Sequence, residues 1–364
     1  MEISGRTPTI STTPLNRRLG LFDATMIIVG NVIGIGIFTT SGLVAEALRS
    51  PAALLAGWVI GGLLTLCGAL TYAELGGMLP HAGGEYVYLR RAYGRFWGFL
   101  NGWTYFTVTN PGSIAAMTVG MVAYVQSFLP GIELQGDLFR AQLLGRNFAI
   151  SSGQGLAIAV ILLLSAINYV GLRAGSLVQD FLTILKLLSV SLIPLFGLLL
   201  GNGKWPQFFS SGLAAHGNIG NSLSIALVSI FFSYTGWFAS TYVASEIRRP
   251  DRNVPYSVIL GTAITTTAYL LVNLIYLYAL PIDRMRGVIN IGEVAARVLF
   301  GPGATKFVSL AVLISILGAA NSVIMTAPRI YYAMARDGVF FQAAARVHPK
   351  FKTPTGSILI QAVW

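Results

Sequence analysis

Three glycines lie within seven residues in the middle of an apolar stretch: Gly30, Gly34 and Gly36 of the segment GNVIGIGIF (residues 30–38). Two interpretations compete. Gly30 and Gly34 are four residues apart, which suits close packing of two membrane helices. Alternatively, the helix is broken here, which lipid tolerates only where the unwound backbone lines a cavity. The freed amide groups of such a break would bind an anionic group such as a carboxylate.

A second interruption is predicted in the stretch FSYTGWFAST (residues 232–241), where hydroxyl and aromatic side chains surround Gly236. An inverted repeat of five helices predicts two interrupted helices five spans apart, because each half then begins with its own broken helix. The aromatic residues Phe232 and Trp237 are candidate gates over a solute. Aromatic residues at helical spacing also suit lipid-facing or core positions, so this alternative stays open.

Lys186 lies near the centre of an apolar stretch that is long enough to cross a membrane. A cation at that depth costs about 3 kcal/mol on insertion scales, so an intramembrane lysine is a functional hypothesis by default. The alternative is that its long side chain extends to the membrane interface. No acidic residue lies deep in another predicted span. The expected partners of Lys186 are therefore backbone carbonyls and hydroxyl groups, which otherwise form sodium sites.

The sequence does not favour an enzyme or a metalloprotein. Cys67 is the single cysteine, and the three histidines (His81, His216 and His348) fall in polar connections. The serines of the predicted spans therefore have no histidine to activate them as nucleophiles. The sequence also contains no cluster of cysteine and histidine for zinc. We expect no cofactor and no metal.

Composition places the chain in the membrane. Of 364 residues, 54% are hydrophobic and 10% are charged, against about 25% charged residues in soluble domains. The apolar runs are continuous rather than alternating, which favours helices over a β-barrel. We therefore predict an all-α polytopic membrane protein with the lipid bilayer as its partner. The net charge of +11 is interpreted as membrane topology, and no nucleic acid partner is expected.

Hydrophobic windows of about 20 residues predict eight complete transmembrane helices and the start of a ninth. The predicted spans are 21–45, 52–77, 96–128, 155–172, 178–200, 219–247, 256–281 and 304–335, and the ninth begins at Thr355. The predicted divisions are a cytosolic tail (1–20), a first five-helix repeat (21–200), an extracellular connection (201–218) and an incomplete inverted repeat (219–364). With the N-terminus in the cytoplasm, the inner segments carry 15 Lys and Arg residues and the outer segments carry 8. This agrees with the positive-inside rule and predicts a protein of the plasma membrane or the bacterial inner membrane.

Seven motifs, in order along the chain, resemble the amino acid-polyamine-organocation (APC) superfamily and, within it, the L-type amino acid transporter (LAT) branch. They are GNVIGIGIF (30–38), YAELG (72–76), AGGEYVY (82–88), QDFLTILKLL (179–188), FSYTGW (232–237), EIRRPDRNVP (246–255) and RIYYAMARDG (329–338). The resemblance implies a leucine-transporter-type fold, in which five helices and five inverted helices precede two more. By this comparison the chain is expected to be truncated at its C-terminus.

The resemblance also implies a binding site. The implied substrate-binding residues are Val32, Ile33, Gly34, Ile35, Gly36, Phe232, Ser233, Tyr234 and Gly236. The amides of residues 34–36 would bind a carboxylate, and carbonyls of residues 32–33 and 232–234 would bind an ammonium group. Phe232 matches the aromatic residue that closes over the substrate, with Trp237 as a second gate residue. Lys186 matches a lysine that replaces sodium and links the first helix to the eighth, where Ser315 is the expected hydroxyl partner.

Together these features predict a sodium-independent secondary transporter that exchanges neutral amino acids by alternating access. A neutral side chain is favoured because no acidic residue lies beside either break. The alternatives are a proton-coupled symporter, in which Lys186 loses its proton, and an amino acid sensor that binds without transporting. The sequence leaves open whether a single-span accessory subunit takes part.

Overall fold

The computed structural model describes residues 15–129, 134, 136–143, 146–205 and 219–364. Most of the predicted tail (residues 1–14) and most of the predicted connection (residues 206–218) lie outside the described residues. The helices of the described part are α1 (Leu21–Val32), α2 (Gly36–Leu48), α3 (Pro51–Met78), α4 (Glu85–Tyr93), α5 (Arg95–Thr104), α6 (Asn110–Gln126), α7 (Ser152–Val170), α8 (Leu172–Leu200), α9 (Ile219–Tyr234), α10 (Ala239–Tyr242), α11 (Pro250–Ala279), α12 (Ile282–Met285), α13 (Ile291–Phe300), α14 (Ala304–Thr326), α15 (Pro328–Arg336) and α16 (Thr355–Val363).

Several of these helices are long and apolar enough to cross a membrane. Within the described residues, α3, α7, α8, α11 and the continuous pair α14–α15 qualify, and the bent pair α1–α2 makes a sixth span. The chain is therefore a polytopic helical membrane protein. The predicted number of eight spans stays a prediction, because shorter helices make up the third and sixth predicted spans: α5 and α6 in the third, and α9 and α10 in the sixth.

A bend of 46° separates α1 from α2. The helical conformation is lost at residues 33–35, inside the glycine-rich segment. On the far side of the break, α2 ends at Leu48, and the next residue, Arg49, adopts a left-handed conformation (φ +52°). Ser50 then caps α3 by accepting a hydrogen bond from the amide of Ala53, and Pro51 begins that helix. Proline suits this first position because its missing N–H would have no helical partner there.

The second interruption separates α9 from α10 at residues 235–238. Gly236 has φ +109°, a conformation that side chains rarely adopt. A β-carbon at Gly236 would also lie 2.9 Å from Cγ of Asn31 in α1. Glycine is therefore required here both for the turn and for the approach of the two broken helices.

The third predicted span contains a wide turn between α5 and α6. Residues Tyr105–Thr109 form a π-helical segment, in which the amide of Asn110 donates to the carbonyl of Tyr105 five residues earlier. Such segments occur mostly as single turns and frequently at functional sites.

Different contacts are made at the two ends of the helix bundle. At the end where α1 begins, which we call the N-terminal face, Leu19 pairs with Ile247 as an isolated parallel bridge. At the opposite end, α2 contacts the turn after α12, where the amide of Gly287 donates to the carbonyl of Gly42.

Strands β1 (Asp137–Leu143) and β2 (Arg146–Ser151) form an antiparallel hairpin between α6 and α7. This hairpin was not predicted, since the sequence was assigned helices alone.

Candidate functional site: a cavity between two broken helices

A cavity of about 500 Å³ lies between the two interruptions. Both breaks, the π-helical segment with α6, and α14 contribute to its wall. Of the predicted binding residues, those that line it are Val32, Gly34, Ile35, Gly36, Phe232, Ser233 and Gly236. Phe232, the predicted gate residue, is 70% exposed.

Other predicted site residues lie outside the cavity wall. Ile33 and Tyr234 are buried, and the Tyr234 ring packs against Trp58 at a centroid distance of 5.9 Å. Trp237, the second predicted gate residue, packs on Tyr72 of α3 at 4.8 Å and does not line the cavity. A break fixes which residues leave the helix but not which face each side chain takes.

The first break leaves two cavity-lining amides without a partner in the described part of the chain. The amide of Gly34 donates to the carbonyl of Val32 at 2.8 Å, so that donor is engaged. The amides of Ile35 and Gly36 make no backbone hydrogen bond in the described part of the chain. Both residues line the cavity at the N-terminus of α2, where the helix dipole favours negative charge. A carboxylate is the chemical group that this arrangement suits.

Close packing explains why Gly30 and Gly36 have no side chain, but it does not explain Gly34. A β-carbon at Gly30 would lie 1.9 Å from the amide nitrogen of Gln179, and one at Gly36 would lie 2.8 Å from Oγ of Ser233. A β-carbon at Gly34 would meet only Cβ of Ala319, at 3.8 Å. The close-packing interpretation therefore holds at Gly30 but not at Gly34, which lies in the break at residues 33–35.

Tyr269 of α11 joins the two breaks. Its buried hydroxyl lies 2.8 Å from the carbonyl oxygen of Val32 and 2.9 Å from that of Ser233. Both carbonyls were predicted to bind an ammonium group. In this structure the hydroxyl of Tyr269 uses part of their capacity to accept hydrogen bonds. The sequence analysis missed Tyr269. A tyrosine in the middle of a long apolar helix is the available signal, since a buried hydroxyl needs a partner.

Lys186 is fully buried in α8, and its Nζ lies 2.7 Å from the carbonyl oxygen of Gly30. α14 approaches closely on the other side, where a β-carbon at Gly318 would lie 3.2 Å from Nζ. The predicted partner Ser315 is buried, but its Oγ makes no hydrogen bond in the described part of the chain. Ser322 of α14 instead donates to the carbonyl of Ile27 at 3.1 Å.

The third span contributes cavity residues that the sequence analysis did not identify. Tyr105, Thr109, Asn110 and Ser113 all line the cavity. The amide group of Asn110 donates to the hydroxyl of Tyr331 at 2.9 Å, which fixes its orientation. The dipeptide Asn110–Pro111 in the middle of an apolar stretch was the available sequence signal.

A buried carboxylate lies beneath the cavity on the side of the N-terminal face. Glu85 accepts hydrogen bonds from the hydroxyls of Tyr72 (2.8 Å) and Tyr242 (3.1 Å). Tyr242 also lines the cavity. Gly84 permits this approach, because a β-carbon there would lie 2.5 Å from the Tyr242 ring. Glu85 thus connects α3, α4 and α10.

Ion pairs join the helices at the N-terminal face. Glu246 pairs with Arg329 of α15, which lies 83 residues further along the chain. Glu74 is exposed and forms no ion pair within the described residues. Asp337 contacts Arg90 and accepts from the hydroxyl of Tyr86 at 2.7 Å. Burial, and then this hydrogen bond, raise the pKa of Tyr86.

These features define a class of protein: a polytopic membrane protein with a small-solute cavity between two interrupted helices. The chain belongs to the amino acid permease family, which matches residues 19–364. Within the APC superfamily it is similar to L-type transporters.

Three relatives illustrate the similarity. The chain is 31% identical over 356 residues to the serine/threonine exchanger SteT of Bacillus subtilis (strain 168), covering 95% of this chain and 75% of that protein. It is 32% identical over 358 residues to the human b(0,+)-type amino acid transporter 1, covering 97% of this chain and 69% of the relative. It is 30% identical over 360 residues to the human large neutral amino acids transporter small subunit 2, covering 96% of this chain and 63% of the relative. Transport of amino acids across a membrane is the activity that this family carries out.

Proposed function

We propose that this protein exchanges neutral amino acids across the membrane by alternating access, without sodium. The observation that carries the proposal is the pair of unengaged amides at Ile35 and Gly36, which line the cavity at the start of α2. An amino acid is a zwitterion. Its carboxylate suits these amides and the dipole of α2, and its ammonium group suits the carbonyls of the two breaks.

The lining of the cavity supports a neutral side chain. No Asp, Glu, Lys or Arg lines it within the described residues. A charged side chain would therefore lose its hydration without a counter-charge in contact with it. The names of two relatives, a serine/threonine exchanger and a large neutral amino acids transporter, agree with this proposal.

Lys186 supports independence from sodium. Its ammonium group bonds to a carbonyl of the first broken helix, which is the kind of oxygen that a sodium ion would use. A fixed positive charge held there makes a dissolved cation unnecessary. If Lys186 instead releases its proton during the cycle, the protein is a proton symporter, and the experiment below separates the two.

The proposed topology places the N-terminal face in the cytoplasm. The excess of Lys and Arg on that side supports this orientation. The proposed architecture is an inverted repeat of five helices (21–200 and 219–364), supported by the two breaks that approach each other at Gly36 and Ser233.

The test is uptake of labelled L-serine and L-leucine into liposomes that contain the purified protein. Exchange without sodium predicts uptake only when unlabelled amino acid is present inside, with the same rate in sodium and in choline buffer. Protein-free liposomes measure leakage. Uptake into empty liposomes driven by an inward proton gradient would support symport, and uptake that requires sodium would contradict the proposal.

A further inference from the structure

A small cleft on the N-terminal face lies between three segments that are distant in sequence. They are the residues before α1, the turn between α7 and α8, and the loop before α16, and the cleft has a volume of about 150 Å³. Four basic residues line it: Arg18, Arg173, Lys350 and Lys352. It is separate from the substrate cavity and shares no residue with it.

The charge of this cleft is not compensated. Neither Asp nor Glu lines it, and none of its four basic residues forms an ion pair within the described part of the chain. A larger neighbouring cleft on the same face differs, because its Arg90 contacts Asp337. Four cations gathered around a small space repel one another, and this repulsion favours a bound anion.

Hydrogen bonds within the protein hold the three walls of this cleft in place without a ligand. The hydroxyl of Thr353 donates to the carbonyl of Tyr169 at the end of α7, at 2.9 Å. The amide of Lys352 donates to the carbonyl of His348, also at 2.9 Å. On the third side, the amide of Arg18 donates to the carbonyl of Glu246 at 2.8 Å. The basic residues are therefore carried on segments that are already tied to the bundle.

We propose that this basic cleft binds a phosphate group, carried either by an anionic lipid headgroup or by free phosphate. A phosphate offers several acceptor oxygens to several cationic donors, and such charge-assisted bonds are about twice as strong as neutral ones. The cleft lies where two membrane helices meet at Gly171, which is the level of the lipid headgroups. A phosphate bound here would join Arg18, next to the Leu19–Ile247 bridge, to the start of α8 and to the loop before α16.

Thermal unfolding in detergent tests the proposal. The probes are sodium phosphate, with sodium chloride at equal ionic strength as reference, and short-chain phosphatidylglycerol, with phosphatidylcholine as reference. A ligand that binds only the folded state raises the unfolding midpoint in a saturable way. Stabilisation by phosphatidylglycerol alone assigns the lipid headgroup, and stabilisation by both probes assigns the phosphate group itself.

Variants locate the binding. The double variant Arg173→Gln/Lys352→Gln should bind on the order of tenfold or more weakly, because it loses bonds between charged groups. The matched control Arg91→Gln/Arg248→Gln removes two charges from exposed positions on the same face and should bind as the unaltered protein does. If the first double variant does not fold, Lys350→Gln at an exposed position takes its place. No saturable stabilisation of the unaltered protein by either probe, or equal weakening in both double variants, would overturn the proposal. Because the measurement is binding, it stands or fails independently of the transport activity.

Discussion

Arg329 and Glu246 form a two-point ion pair that is closed to solvent. Nε of Arg329 lies 2.7 Å from Oε2 of Glu246, and Nη2 lies 3.0 Å from Oε1. The remaining nitrogen, Nη1, donates to the carbonyl of Met325. The pair joins α15 to the segment after α10, so it ties the second broken helix to the N-terminal face.

Removing one member of this pair should destabilise the protein strongly. Arg329→Met leaves the buried carboxylate of Glu246 without a counter-charge, at a cost of roughly 3–5 kcal/mol. The double variant Glu246→Leu/Arg329→Met removes both charges and should recover most of that loss. Thermal unfolding of Arg329→Met, of Glu246→Leu and of the double variant checks this. A double variant no more stable than either single one would show that the charges do not act as a pair.

The two glycines of the first break should differ in their tolerance of a methyl group. Gly36→Ala would place Cβ 2.8 Å from Oγ and 3.1 Å from Cα of Ser233, so the two breaks must separate. Gly34→Ala would meet only Ala319, at 3.8 Å, in ordinary contact. We expect Gly36→Ala to weaken substrate binding by on the order of tenfold or more, which corresponds to about 1.4 kcal/mol or more of binding free energy. Gly34→Ala should stay within about threefold, and equal losses would contradict the assignment of the close contact.

Lys186→Met should impair turnover more than stability. The variant loses the charge-assisted bond to the carbonyl of Gly30. It also removes the cost of burying an ammonium group, so its unfolding midpoint should not fall. We expect exchange to fall on the order of tenfold, since bonds to charged groups contribute about 1.5–3 kcal/mol. Exchange rates measured beside unfolding midpoints separate the two effects, and unaltered exchange would limit Lys186 to a structural role.

Tyr269→Phe should loosen the connection between the breaks. It removes one hydroxyl that serves the carbonyls of Val32 and Ser233, and an unmade buried bond costs about 1–3 kcal/mol. Tyr256 on the same helix is 47% exposed, so Tyr256→Phe is the matched control. Substrate affinity and unfolding midpoint should both change for Tyr269→Phe alone. If the two variants behave alike, the bridge has no energetic role.

Glu85→Gln should slow transport, whereas Glu74→Gln should not. Glutamine offers one acceptor oxygen where Glu85 offers two, so either Tyr72 or Tyr242 loses the acceptor for its hydroxyl proton. Tyr242 lines the cavity, and its release disturbs the floor of the site. Glu74 is exposed and serves as the control. Transport rates of purified, correctly folded variants decide the matter, and two equally active variants would exclude Glu85 from the cycle.

The interruptions were predictable from sequence because glycine has a strong local signature. Residues 33–35 and 235–238 leave the helix within the two segments singled out for their glycines. Side-chain direction was not predictable in the same way. Phe232 lines the cavity, whereas Trp237, five residues later, packs on α3. Which side each ring takes depends on the neighbouring helix, and one sequence does not contain that information.

Pairings between distant helices were also not predictable from the sequence. Lys186 was expected to bond to carbonyls and hydroxyls, and its observed partner is the carbonyl of Gly30. Basic residues follow Glu246 directly in the sequence, yet its ion-pair partner is 83 residues away at Arg329. Local sequence indicates that a buried charge needs compensation, but the packing of α15 against the second break determines which residue supplies it.

The wide turn of the third span has a geometric consequence. Tyr105 and Asn110 both line the cavity although they are five residues apart. A regular α-helix advances about 100° per residue, which would leave them about 140° apart around the axis, one of them directed at the hydrocarbon. A turn closed by a bond from residue i to residue i+5 holds more residues than an α-helical turn, so five steps bring the chain closer to its starting azimuth. The breadth of the solute-facing wall therefore depends on one inserted residue. Deleting a single position between 105 and 109 would rotate all of α6 about its axis. Different side chains of α6 would then face the solute, although none had been substituted.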